Sequence, residues 1–142
     1  MILQGADMIK AITAALLLSL SMTAFAQPSP EEIAEWRAAA GQGEAWAQSN
    51  LGQMYDRGDG VPQDSAVAMK WWTKAAEQGY AKAQYNLALM YADGEGVPKD
   101  NATAVKWYTK AAEQGYADAQ LNLGLMYDNG LGVPQDDATA VK

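Results

Sequence analysis

Few residues in this sequence have the type and spacing that chemistry needs. The run Tyr55-Asp56-Arg57-Gly58-Asp59-Gly60 gathers oxygen-bearing side chains as a calcium loop does. Such a loop needs oxygen ligands at alternating positions, and Gly58 and Gly60 fall where carboxylates are required. Further along, Ala92-Asp93-Gly94-Glu95-Gly96 and Asp128-Asn129-Gly130-Leu131-Gly132 repeat only the glycines and a following Val-Pro-x-Asp, so the stretch reads as a structural turn whose backbone geometry recurs. Nucleophile patterns fare no better. Ser29, Ser49 and Ser65 are followed three residues on by Glu32, Gly52 and Ala68, which leaves out the Ser-x-x-Lys pair of penicillin-recognising enzymes, and neither a Gly-x-Ser-x-Gly nor a phosphate-cradling loop occurs. Glu31 and Glu35 stand one helical turn apart, as a pair of acid-base carboxylates would, yet they sit in a first turn where acidic residues complement the helix dipole. The sequence has no His and no Cys, which removes the commonest general base, the thiol nucleophile and the usual transition-metal ligands. The residues therefore predict no catalytic site, no metal and no cofactor.

What positions these residues is a repeat. Ala47-Gln48 returns as Ala83-Gln84 and as Ala119-Gln120, and Lys70, Lys106 and Lys142 keep the same 36-residue register. Residues 47–82 and 83–118 agree at 24 of 36 positions without a gap, far beyond what shared composition gives. The chain divides accordingly into 27–46 (an N-terminal segment and a leading helix), 47–82 (first unit), 83–118 (second unit) and 119–142 (a third, truncated unit). Trp36, Ala39, Ala40 and Gly43 lie in register with Trp72, Ala75, Ala76 and Gly79 and mark the leading helix.

Each unit reads as two helices. Ala47, Leu51, Met54 and Tyr55 share one face of a helix A over about 45–57. After Gly58-Asp59-Gly60-Val61-Pro62-Gln63, Asp64 caps a helix B whose apolar stripe is Ala68, Trp71, Trp72, Ala75 and Ala76, and Gly79 stops it as the C′ residue. A lone helix pair cannot bury such a stripe, so stability must come from stacked neighbours, with about three units as the lower limit. The outer positions Lys70, Lys74 and Glu77, repeated as Lys106, Lys110 and Glu113, read as a solvated face.

Residues 1–26 stand apart. Lys10 precedes an apolar run from Ala11 to Met22, and Ala24-Phe25-Ala26 offers the small residues of a signal-peptidase site, which predicts export to the periplasm or beyond with cleavage before Gln27. Met8 makes a better start than Met1, because Met8-Ile9-Lys10 is the more typical leading segment. The apolar run is shorter than the roughly 20 residues a bilayer span needs, so no membrane insertion is expected after cleavage. The formal charge of −7 survives removal of Asp7 and Lys10 together and disfavours nucleic acid and anionic surfaces; a neutral or basic partner suits it. The third unit ends at Lys142, where earlier units continue into Trp71-Trp72 or Trp107-Tyr108, which raises the expectation of a fragment or truncated reading frame.

The run from Ala83-Gln84 through Leu87, Tyr91 and Gly94-Glu95-Gly96-Val97-Pro98-Lys99-Asp100 to Lys106-Trp107-Tyr108-Thr109-Lys110-Ala111-Ala112-Glu113-Gln114-Gly115 closely resembles the Sel-one-like repeat (SLR) family, over residues 31–142. The resemblance implies an all-α fold, a right-handed α/α superhelical solenoid of helix-turn-helix repeats, and a role as an adaptor or scaffold that binds protein. One branch of the family is secreted, carries a disulfide in each repeat and has been credited with activity toward β-lactams; this chain, without Cys, departs from it. An envelope enzyme, or a regulator of one, acting on β-lactams or peptidoglycan is the alternative that branch suggests. A nonfunctional remnant of a longer repeat protein is another.

A scaffold repeats its packing residues and varies its binding surface. The positions of helix A that vary are Trp46, Ser49, Gln53 and Asp56, replaced by Lys82, Tyr85, Leu89 and Ala92 and then by Asp118, Leu121, Leu125 and Asp128. Their spacing places them on one stripe opposite Leu51, predicted to face outward. In tetratricopeptide-like solenoids helix A lines the concave side, so Trp46, Ser49, Gln53, Lys82, Tyr85, Leu89, Leu121 and Leu125 are the candidate contacts for a protein or peptide, with an apolar strip at Tyr85, Leu89, Leu121 and Leu125. The competing reading packs these side chains against adjacent A helices or against repeats missing from this chain.

Overall fold

Side-chain caps set where three of the six described helices begin, and glycine turns set where they end. A computed structural model describes residues 26–133; the predicted signal segment up to residue 25 and residues 134–142 of the third unit lie outside the described residues. Six helices follow one another: α1 (Pro30–Gly41), α2 (Ala45–Arg57), α3 (Ser65–Glu77), α4 (Ala81–Asp93), α5 (Asn101–Glu113) and α6 (Ala117–Asp128), with no strand among the described residues. Asp64 caps α3 as the sequence predicts, its carboxylate accepting from the Val67 N–H at 3.0 Å, and Asp100 repeats the bond to Thr103 at 3.1 Å. At α1 a capping box closes in both directions: Ser29 Oγ accepts from the Glu32 N–H at 3.1 Å and the Glu32 carboxylate accepts from the Ser29 N–H at 2.8 Å.

Gly79 is the C′ residue, at φ 90°. There the Tyr80 N–H reaches back to the Ala75 carbonyl at 3.1 Å and the Gly79 N–H to that of Ala76 at 3.0 Å, the two bonds of a Schellman ending. The same turn recurs after α1 at Gly43 and after α5 at Gly115, so the leading helix ends as a helix B does. The glycine loop after α2 repeats after α4, with Gly58 and Gly94 at φ 74° and 72°. It closes by a bond from the Asp64 N–H to the Tyr55 carbonyl at 2.8 Å, matched by Asp100 to Tyr91 at 2.9 Å.

Each helix packs chiefly on the next in sequence, giving a linear stack rather than a folded-back core. Alanines at the crossings, Ala47, Ala68, Ala75, Ala83, Ala104, Ala111 and Ala119, are wholly buried and let backbones approach; Leu51, Met54, Leu87, Met90, Trp72 and Tyr108 fill the gaps. The predicted stripe of helix B splits at its aromatic pair. Trp72 is buried, whereas Trp71 is half-buried with the Lys74 ammonium 5.0 Å from its ring centre, and Trp107 stands likewise under Lys106 and Lys110. Lys70, Lys74, Lys106 and Lys110 are exposed. No helix among the described residues is long and apolar enough to cross a membrane.

Candidate functional site

The predicted stripe on helix A does not face one way. Ser49 is a correction: it is 1% exposed, because its register position lies beneath the aromatic residue of the following helix B. The Trp72 indole N–H donates to the Ser49 carbonyl at 3.1 Å, and Gly52, one turn on, lies flush against the same ring. Ser49 thus serves helix packing and has no surface to offer a partner. Its hydroxyl is buried without a hydrogen-bond partner, so Ser49→Ala, which removes that group and favours the helix, is expected to stabilise the fold by about 1 kcal/mol in urea unfolding; a loss of stability would show that the hydroxyl has a use.

Tyr85, the same register one unit on, is half-buried rather than outward. Its ring packs on Tyr108 with centroids 5.8 Å apart and on Tyr116 at 5.1 Å. The Tyr108 hydroxyl accepts from Asn122 at 3.3 Å; burial pushes its pKa up to about 12, and burial also raises that of Tyr116. Leu89 is half-buried against the core cluster that includes Ala104, Val105 and Tyr108, a second departure from the outward expectation. Both turn toward the following helix B because that helix sits over this face of helix A. At α6 the equivalent residues lie open: Leu121 is 63% and Leu125 51% exposed.

Gln53 and Lys82, two other predicted contacts, are brought together. They line a cleft of about 730 Å³ with Trp36, Asn50, Met54 and Arg57, bordered by Glu32 and Asp59 and by the segment 26–28, of which Ala26 is lost on the expected cleavage. Trp36, half-buried, gives it an apolar wall above the buried Met54, Asn50 and Gln53 supply amides able to bond a peptide backbone in both directions, and Arg57 and Lys82 bring cations. Asp56, on the same helix and outside the lining, has its carboxyl pKa raised, first by burial and then by Glu95, with Arg57 opposing. Trp46 is 39% exposed and is not part of the lining; Leu121 and Leu125 lie at the other end of the stack. Trp36, Asn50 and Arg57 escape a search for varying stripe positions. Asn50 returns unchanged as Asn86 and Asn122, and such a search treats recurrence as framework. A polar residue recurring among apolar framework residues is the signal that finds it.

A helical stack of this kind, built from near-identical pairs, defines a helical repeat protein. The chain belongs to the Sel1 repeat family, whose pattern matches residues 47–80, 81–116 and 117–142. It is similar to the crystal structure of c5321, described as a protective antigen present in uropathogenic Escherichia coli strains displaying an SLR fold: 49% identity over 77% of this chain and 23% of that one, with a TM-score of 0.75. It is also similar to a Sel1 repeat protein from Oxalobacter formigenes, at 44% identity, 70% of this chain, 40% of that one and a TM-score of 0.68. Cysteine rich protein B (hcpB) of Helicobacter pylori, at 24% identity over 82% of this chain and 86% of that one, shares the fold with a TM-score of 0.57. The chain thus spans 23% and 40% of the lengths of the first two. A search of curated proteins found no match. Sel1 repeats commonly mediate protein–protein interaction, and the family is generally a non-enzymatic scaffold.

Proposed function

We propose that this chain is an exported, non-catalytic adaptor that holds a protein or peptide partner in the cleft between α1 and the A helices. The observation that carries the reading is the cleft itself: amides of Asn50 and Gln53 and cations of Arg57 and Lys82 set around the apolar surface of Trp36. That combination suits an extended segment whose backbone meets the amides and whose apolar side chain meets the indole. The formal charge of −7 favours a neutral or basic partner overall, and residues 1–26 support export.

The test places a photo-crosslinking residue at Gln53 or Lys82 and, as control, at Lys70, which is exposed on α3 and outside the cleft. In extracts of the cell envelope a discrete partner is expected from positions 53 and 82 and not from 70. Equal yields from all three, or none above background, would overturn the reading. Edman sequencing of the chain recovered from the envelope tests export, with Gln27 the expected first residue.

A further inference from the structure

The sequence holds 17 acidic residues against 10 basic ones, so a lysine without a carboxylate partner stands out from its surroundings. Four such lysines gather on two helices. Lys70 and Lys74 on α3, and Lys106 and Lys110 on α5, are exposed and form no ion pair among the described residues. Aromatic rings hold three of them. The Lys74 ammonium stands 5.0 Å from the centre of the Trp71 ring, and those of Lys106 and Lys110 stand 5.5 and 5.4 Å from that of Trp107. A ring fixes an ammonium while leaving N–H groups free to donate, so these cations are positioned rather than neutralised. Apolar surface lies among them. Half-buried Val67, Met69 and Trp71 line a groove of about 460 Å³ together with Lys70 and Lys74. Met69 and Trp107 both pack on the core cluster built around Trp72 and Leu87, which brings the α5 ring and the α3 groove to the same part of the stack. Acids bound the strip: exposed Asp64 and Glu77 stand at the two ends of α3, and exposed Asp100 and Glu113 at those of α5. In the same 36-residue register α1 carries Ala34, Glu35 and Ala38 in place of Lys70, Trp71 and Lys74, so among the described residues the strip is confined to α3 and α5.

We propose that the middle turns of α3 and α5 form a second docking surface, for an acidic peptide segment that sets carboxylates on the lysines and an apolar side chain in the groove. Charge complementarity carries the proposal. A carboxylate here gains charge-assisted hydrogen bonds to ammonium groups that no acid of the chain satisfies. The bounding acids narrow the choice of occupant. A broad anionic surface, such as a lipid headgroup layer, would press its phosphates on Asp64, Glu77, Asp100 and Glu113 as well, whereas an extended strand crossing from α3 to α5 meets the lysines alone. The surface shares no residue with the cleft of Trp36, Asn50 and Gln53, and its partner is opposite in charge to the one that the whole chain favours. The proposal thus goes beyond the adaptor reading and stands without it.

The test is fluorescence anisotropy of a labelled peptide that alternates glutamate with leucine, titrated with the purified chain. Saturable binding is expected, with none for the same peptide carrying glutamine in place of glutamate and weaker binding for a peptide of glutamate alone. Lys70→Glu combined with Lys106→Glu, both at exposed positions, should weaken binding by about tenfold or more with helicity by circular dichroism unchanged, while Lys82→Glu in the cleft should leave it within about twofold. No saturable binding, equal binding by the glutamine peptide or by glutamate alone, or binding that survives the double lysine variant would overturn the proposal. So would cosedimentation with phosphatidylglycerol vesicles that the double variant abolishes, which would make this face a membrane contact instead. In the crosslinking test a chain captured only from position 70 leaves the cleft reading intact, and peptide binding lost with Lys82→Glu alone would place the peptide in the cleft and overturn this proposal, so the two readings fail separately.

Discussion

Gly52→Val is expected to destabilise the fold by about 3 kcal/mol, because a side chain at that position would occupy the space of the Trp72 ring. The indole cannot retreat: it is 4% exposed, belongs to the core cluster that holds Ala68, Ala75, Leu87 and Met90, and is tied through its N–H to the Ser49 carbonyl. Trp72→Ala is expected to lose about 3–5 kcal/mol by opening a cavity in the same place. The two losses should not add. With the ring gone the valine has room and fills part of the void, so the double variant should be at least about 1 kcal/mol more stable than the sum of the singles. The second repeat supplies a sharper version, since Ala88 and Tyr108 coexist there at the positions of Gly52 and Trp72. Gly52→Ala should therefore be costly beside Trp72 and nearly neutral once Trp72→Tyr is also made. Urea unfolding of the four chains checks this, and strict additivity would mean that the glycine and the ring are not one packing unit.

The fold was legible because the signals that set it are local and repeated. Asp64, Gly79 and the Gly58-x-Gly60 loop each fix one helix boundary by backbone chemistry, and the structure shows all three doing so. The inner face of helix A was legible from Ala47, Leu51 and Met54 for the same reason. The stripe opposite was not, because its exposure depends on what the next helix lays over it. Ser49, Tyr85 and Leu121 share one register, and periodicity within helix A treats them alike; they are nonetheless buried, half-buried and exposed in turn, as Trp72 covers the first, Tyr108 and Tyr116 flank the second, and the third lies at the end of the described stack. Trp71 and Trp72 pose the same problem on helix B, where adjacent aromatic residues of one apolar stripe are half-buried and buried in turn. Gln53 and Lys82 could be named from sequence as varying, but their meeting across a cleft with Trp36 depends on how α1, α2 and α4 stack.

Gln84 is the position where a polar residue should prove as costly to remove as an apolar core residue. It is 4% exposed, its amide donates to the Ala76 carbonyl at 3.1 Å, and its Oε1 accepts from Gln114 at 2.9 Å, so one side chain joins the end of α3, helix α4 and the cap of α5. Gln84→Ala takes one donor from the Ala76 carbonyl, which keeps the Gly79 N–H, frees the Gln114 amide and leaves a void, for an expected loss of about 2 kcal/mol. Gln120→Ala, the same change at an exposed position of the same register, should cost about 0.5 kcal/mol or less, which makes it an internal control for helix propensity and side-chain identity. Gln84→Glu separates the hydrogen bond from the packing. A carboxylate has the right shape but cannot donate to Ala76, and burial raises its folded pKa above the unfolded value of about 4.3. Stability is then greatest below that unfolded value, where the protonated acid can still donate, and falls as pH rises through the folded pKa. Gln84→Glu should accordingly be close to the parent chain in acid and fall below Gln84→Ala at neutral pH, where an unpaired charge is held in a site built for an amide. Should Gln84→Glu instead keep its stability at neutral pH, water reaches this joint, and the glutamine bonds that link successive units are surface contacts rather than part of what holds the stack together.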